Sequence, residues 1–325
     1  MRSSGGGFGT LLAGALQRLE ARFGDLRSLS DARSARVLRE ARLSGGALRA
    51  LVAHECAAVV VPGWFGDAEA CRAAARSVLE DPQRSNWAVT RGTGAGEAAA
   101  SDVETVGTPH NVAAAAGAGA LESYFAGSVA QTRKWRRPAS GGGRELLGPL
   151  DKLRLELDEE WPEGCLLARD PSTRRPFLPG IPRIMRPPQR FDPAAQAQRW
   201  SRGFCHVDEL DIMRRDRGLY SANVYLQCAP SGGELLVWPI TFATRWDFYR
   251  HAATLSLCLS QERWAQEALW ERLPPPVLVK VSEGDLVLLC TQRPHAVRGP
   301  VLGGTRVSMQ GFLSFREGQP LRMEA

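Results

Sequence analysis

The chain has 325 residues, 44% hydrophobic and 23% charged, which suits one large or two small globular domains and excludes a disordered chain. Its 41 basic and 35 acidic residues give a formal net charge of +6, but bases and acids are interleaved. No basic stripe tracks a phosphate backbone, so nucleic-acid binding is not expected. Only Lys134, Lys152 and Lys280 are lysines; the other basic residues are arginine. Seven cysteines form no CxxC pair and no regular spacing, which speaks against a secreted disulfide scaffold and for free thiols in a reducing cytosol. No apolar run reaches the ~18 residues of a membrane span. The start, "MRSSGGGFGTLLAGALQRLEARFGDLRS", is too interrupted by charge for a signal peptide. A cytoplasmic location is expected. An Arg/Ser-rich transit peptide is the alternative, and Glu20, Asp25, Asp31 and Glu40 count against it.

Along the chain, Leu12, Leu16, Leu19 and Phe23 recur at helical spacing, and a second helical stretch is expected over about 30–53. Residues 1–50 read as a helical N-terminal extension. "CAAVVVPGWF" is a β-branched run closed by Pro-Gly, hence a strand. "GDAEACRAAARSVLED" is a helix with Asp67 as N-cap. Gly-rich loops are expected at 92–100 and 138–144. The segment between them, "GALESYFAGSVAQTRKWRR", is helical, with Leu121, Tyr124 and Val129 marking its buried side. "LLGPLDKLRLELDEEW" is a further helix.

From about residue 180 short β-like runs separated by Pro and Gly take over: "IPRIMRP", "GFCHVDEL", "YSANVYLQC", "ELLVWPI", "PVLVKV", "DLVLLC", "AVRGPV" and "TRVSMQGFLSF". A helical insertion at about 242–272 interrupts them. Many short strands after a helical half predict an α+β fold with a jelly-roll core buttressed by helices.

His206 and Asp208 stand two apart in "FCHVDELDI", and on a strand both would face one side. A second histidine from a later strand would complete a two-histidine, one-carboxylate facial triad, a set that holds non-haem Fe(II) and leaves the opposite positions open. His295, 89 positions on in "TQRPHAV", fills that role. Arg306 follows eleven residues later, with Ser308 on its face of the strand. A guanidinium offers a bidentate fork to a carboxylate, so the far end of a dicarboxylate chelating the iron would be gripped here. In "SANVYLQC" the polar residues Ser221, Asn223, Tyr225 and Gln227 alternate with apolar ones. A polar face on a central strand lines either a pocket or solvent, which makes Asn223 and Tyr225 candidates for cosubstrate or substrate contacts. Arg183 and Arg186, in "PRIMRPPQRF", are candidates for a substrate carboxylate, with a solvated loop as the alternative; Trp238 is a candidate substrate clamp, with the core as the alternative. His54, His110 and His251 have no ligand partner in sequence.

In their order, HxD, "SGGELLVW", "GDLVLL", "PHAV" and Arg306 resemble the Fe(II)/2-oxoglutarate-dependent oxygenases, in their prolyl-4-hydroxylase-like branch, over about residues 55–316. The resemblance implies a double-stranded β-helix (jelly-roll, cupin-like) within an oxygenase domain over 51–325, with helical support at 66–160 and the jelly roll at 180–316. It implies iron on His206, Asp208 and His295, and 2-oxoglutarate on Arg306, helped by Ser308, Asn223 and Tyr225. O2 is the oxidant and ascorbate a supporting reductant. The expected reaction is hydroxylation, or oxidative cyclisation or desaturation, at an unactivated C–H bond of a small molecule such as an amino acid or specialised metabolite, one carrying a carboxylate if the arginines meet it. "ESYFAGSVAQTRKWRR", "GGELLVW" and "GFLSFREGQPLRM" are similar to segments of stand-alone specialised-metabolism hydroxylases and halogenases. Those halogenases carry glycine where this chain has Asp208, so the likeness implies a hydroxylase-type enzyme. A peptidyl prolyl or lysyl hydroxylase is the rival within the class; a non-catalytic metal-binding jelly-roll sensor is the rival outside it. The segments at 92–144 and 242–272 read as lids over a small-molecule pocket, and "ASDVETVGTPHNV" as a capping loop.

Overall fold

The computed structural model describes residues 14, 17–90, 98–136, 147–186, 203–260, 262–299 and 304–325. Its strands are β1 (Val37–Arg39), β2 (Ala58–Val61), β3 (Arg84–Thr90), β4 (Ala98–Val106), β5 (Cys165–Leu167), β6 (Ile181–Met185), β7 (Arg217–Gln227), β8 (Leu235–Val237), β9 (Val277–Val279), β10 (Leu286–Cys290), β11 (His295–Val297), β12 (Arg306–Arg316) and β13 (Leu321–Glu324). Ten strands form one sheet with the path β1-β2-β10-β7-β12-β6-β4-β3, and β13 joins β12 to β5. The other three form a smaller sheet, β11-β8-β9. The two sheets close on one another as the expected jelly roll.

The period-2 alternation of each strand divides the core. On β7, Ala222, Val224 and Leu226 face outward with Val59, Val61, Leu286 and Leu288. They meet the apolar faces of α1 (Gly45–Val52), α2 (Ala68–Leu79) and, beyond α3 (His110–Ala116) and α4 (Ala118–Lys134), α5 (Pro149–Glu160). Tyr225, Val60, Val287 and Leu289 face inward and meet Leu235, Val237 and Val279 of the small sheet. This is why β2 and β10 read as unbroken apolar runs: both their faces are covered. α2 is capped as expected, with Asp67 accepting from the Glu69 and Ala70 amides at 3.0 and 2.9 Å. α5 buries Leu150, Leu153 and Leu157 at helical spacing.

Several sequence expectations are corrected. Of the proposed N-terminal helix, residues 17–23 are helical, while Leu12 and Leu16 lie outside the described residues. The stretch 30–53 is not one helix. It holds a short 3-10 turn, β1, which pairs in parallel with β2, and then α1 behind its Ser44 cap. β-branched Val37 suits a strand, and pairing with the apolar edge of β2 draws Leu38 into it as well. On α4, Tyr124 is buried as expected but Val129 is exposed. The "ASDVETV" segment is not a capping loop but part of β4, paired with β3 and β6. Most of the first Gly-rich loop and all of the second lie outside the described residues.

The insertion forms α6 (Arg245–Arg250), α7 (Ala252–Leu255), a 3-10 turn (Ser256–Leu259) and α8 (Arg263–Arg272). It does not read as a lid. From α8, Gln266 accepts from the Cys205 amide at 2.9 Å and donates to the Cys205 carbonyl at 3.0 Å. Trp270 packs edge to face on Trp238, with centroids 4.8 Å apart. The insertion therefore braces the segment carrying His206 from behind. Among the described residues no helix is long and apolar enough to cross a membrane.

Candidate metal centre

His206 is not on a regular strand. It forms an isolated bridge with His295, the first residue of β11, through reciprocal backbone hydrogen bonds of 2.9 Å each. Asp208 hangs its amide on the Thr291 carbonyl at 3.1 Å. Gly203 permits the approach of this segment to β11: its φ is +85°, and a Cβ there would lie 2.6 Å from the Val297 carbonyl oxygen. The two-residue offset still aims His206 and Asp208 at one point, because the bridge keeps the backbone extended.

The three side chains converge, each offering one ligand atom within 4.8 Å of the others. His206 Nδ1 donates to the Phe204 carbonyl at 3.0 Å, and His295 Nδ1 donates to the Arg293 carbonyl at 2.9 Å. Those carbonyls fix the ring orientations, so each Nε2 is turned into the cluster. The Nε2 atoms point toward the Asp208 carboxylate, 3.8 Å from His206 and 3.5 Å from His295. Burial, aided by the charge of His295, pushes His206 down to about 4. Burial also pushes Asp208 up, but the hydrogen bond and charge of His295, with His206 and Arg183, outweigh it and hold the carboxylate at about 2. For His295, burial is outweighed by the hydrogen bond and charge of Asp208, and its pKa lies above the ordinary value. The Asp208 side chain keeps 22% of its surface, so the cluster is reachable. Two imidazole nitrogens and one carboxylate on one side of a point are the donor set of a facial triad, a metal taking the place of the proton that His295 shares with Asp208. The residues fit a hexacoordinate divalent transition metal.

The polar face of β7 is interior: Ser221, Asn223 and Tyr225 are all buried. Register places Tyr225 opposite Ser308 on β12, and Asn223 opposite Gln310. Asn223 donates to Ser221 Oγ at 3.2 Å. Arg306 is 6% exposed, and its guanidinium lies 4.7 Å over the Tyr225 ring. It donates weakly, to the Tyr225 hydroxyl at 3.3 Å and the Gly233 carbonyl at 3.5 Å. Its Nε has no partner, and none of its contacts is a carboxylate among the described residues. The "SGG" turn brings that carbonyl in, with Gly233 at φ +80°. A buried guanidinium so poorly satisfied has donors to spare for an anion.

The substrate candidates divide. Arg183 sits on the inner face of β6, opposite Ser308. Arg186 lies just beyond β6 and pairs with Glu104 at 3.7 Å, an acid that Arg84 also contacts. Trp238 is fully buried against Trp270, so its surface is spent on the core. His54, His110 and His251 stand apart from the cluster, as expected. Two residues escaped the sequence reading. Trp87 on β3 lies under the Arg183 guanidinium, 4.1 Å from ring centroid to Cζ. Arg293, wholly buried, donates to the Ile240 carbonyl at 2.8 Å and so fixes the turn whose carbonyl orients His295. Nothing in "TQRPHAV" separates that arginine from the many others.

No family model matches the chain, and no curated protein matches it. Solved structures do. An N-substituted L-amino acid dioxygenase from Burkholderia ambifaria AMMD is 18% identical, with 86% of this chain and 91% of that chain covered and a TM-score of 0.50. The carbocyclase SnoK from nogalamycin biosynthesis is 16% identical, with 86% and 87% covered and a TM-score of 0.41. At 18% identity the likeness to the dioxygenase is one of fold.

Proposed function

We propose that this chain is an Fe(II)- and 2-oxoglutarate-dependent oxygenase acting on a small molecule, giving hydroxylation or oxidative cyclisation or desaturation. One observation carries the reading: the same jelly roll holds the His206, Asp208, His295 donor set and Arg306, a buried guanidinium without a carboxylate partner among the described residues. A metal alone does not require that arginine. A bidentate 2-oxo acid with a second carboxylate does. The Burkholderia ambifaria dioxygenase, the same fold, has also been solved in complex with α-ketoglutarate.

Bound iron would supply O2 activation and the oxidation of 2-oxoglutarate to succinate and CO2. The chain's own residues do the rest. With metal bound, His206 and His295 would present Nε2 lone pairs, their rings held by backbone carbonyls, and Asp208 would supply the anionic ligand. Arg306 and Ser308 grip the distal carboxylate, while Tyr225 supports the guanidinium. The inner faces of both sheets limit the entry of water.

The test is succinate release from 2-oxoglutarate with Fe(II), O2 and ascorbate. Wild type should release it, and His295→Ala should not. Arg306→Ala should raise the KM for 2-oxoglutarate by at least about 30-fold, as truncating one side of a buried charge pair costs ~2–5 kcal/mol. A wild type that binds iron yet neither binds nor consumes 2-oxoglutarate would leave a metal-binding jelly roll and sink the oxygenase reading.

A further inference from the structure

The interior holds a second cation, and resting on the oxygenase reading it bears on the substrate. Arg183 alternates with Ile184, which is turned into the outer core, so its side chain shares the inner face with Ser308 and, two residues along β12, with Arg306. It stacks on Trp87. Its Nε is buried without a partner, and it forms no ion pair among the described residues, whereas its neighbour Arg186 is neutralised by Glu104. An aromatic platform holds a guanidinium in place without consuming its in-plane donors, which stay free for a planar anion.

Charge balance gives the same answer. Arg183 and Arg306 bring two positive charges and Asp208 one negative. A divalent metal raises the sum to three positive, and the 2-oxoglutarate dianion lowers it to one. A buried site tolerates a net charge poorly, so one more anion is called for. Arg183 is buried, and the charged groups that reach it are Asp208 of the cluster and Arg306 of the cosubstrate site.

We infer that Arg183, backed by Trp87, is the anchor for a carboxylate on the prime substrate, and that the substrate class is small-molecule carboxylic acids. Arg306 takes the cosubstrate and Arg183 the substrate, so two arginines facing one interior divide the two anions between them.

The experiment uses nickel-substituted protein loaded with 2-oxoglutarate, titrated calorimetrically with a panel of N-acetyl-L-amino acids and their matched primary amides. The Fe(II) enzyme is assayed in parallel for acid-stimulated succinate release. Acids should bind and amides should not. Arg183→Gln should weaken acid binding by at least about 30-fold, the lower bound for losing one side of a buried charge pair. It should leave the 2-oxoglutarate affinity within about threefold, and Arg183→Lys should recover part of the acid binding. Equal binding of acids and amides, no binding by any acid of the panel, or a Gln variant that loses 2-oxoglutarate instead would each overturn the inference. The acid–amide comparison needs no variant, so a misfolded mutant does not rescue it. Failure of wild type to bind nickel and 2-oxoglutarate at all is a different result, and it falls on the oxygenase reading.

Discussion

Asp208 is the third member of the cluster, within 4 Å of both imidazole Nε2 atoms, and the proposed carboxylate ligand. A halide would need the place that its carboxylate takes. Wild-type turnover in excess chloride should therefore give oxygenated or rearranged products; a chlorine isotope pattern in the product mass spectrum would refute the role given to Asp208. His54 makes a different residue-level prediction. It is buried in the left-handed region at φ 60°, donates from Nε2 to the Arg214 carbonyl at 3.0 Å, and has no partner at Nδ1. Burial, with the charge of Arg293, pushes it down to about 4. Between the ordinary value of 6.5 and 4 the unfolded chain holds a proton that the folded chain does not. The group's contribution is thus fully present above pH 6.5 and lost as pH falls toward 4, to a limit of about 3 kcal/mol. His54→Asn, which tolerates that backbone, should flatten the fall in denaturation midpoint between pH 7 and 4.5. Parallel pH profiles for the two proteins would argue against it.

At the scale of elements, α8 is the brace whose removal should be felt at the metal. Gln266→Ala strips both side-chain hydrogen bonds from the Cys205 backbone, one residue before His206. A buried amide left unpaired costs ~1–3 kcal/mol, and loss of a group that orients a ligand weakens metal binding about 10–100-fold. Metal titration of the variant should show that loss while its Arg306-dependent binding of 2-oxoglutarate, measured at saturating metal, is retained. An unchanged metal affinity would make α8 a bystander. Elements differed in how far the sequence announced them. β7, β10 and β12 were legible because apolar runs and strict alternation leave little choice of period. β3 and β4 were not: "AAASDVETV" is alanine-rich and acidic, with weak β propensity, and becomes a strand through its pairing with β3 and β6. The metal set was legible because few residue types can do its chemistry and HxD fixes their offset. Arg183 and Arg186 were indistinguishable in one dimension. Strand parity and the position of Glu104, which separate them, exist only once β4, β6 and β12 are side by side. Trp87 was lost with β3 for the same reason.

For the whole molecule, the proposed metal and cosubstrate sites draw residues from both sheets, His295 from the small one and Arg306 from the large one, so both ligands should stabilise the native state by mass action. Each at 100 times its dissociation constant adds about 2.7 kcal/mol. Metal with 2-oxoglutarate should raise the melting temperature by about 5 °C or more over the apoprotein, and 2-oxoglutarate alone by much less. Equal shifts with and without metal would detach the dicarboxylate from the cluster. The reciprocal bridge between His206 and His295 carries a last consequence. These residues lie 89 positions apart, and the span between them includes β7, β8, β9, β10 and the whole insertion. A chain with that span unformed displays two donors, His206 and Asp208, and lacks the third. Tight metal capture would thus work as an inspection of topology: it discriminates against any intermediate in which β11 has not yet docked, and the ion would be retained only by a molecule that has closed this circuit.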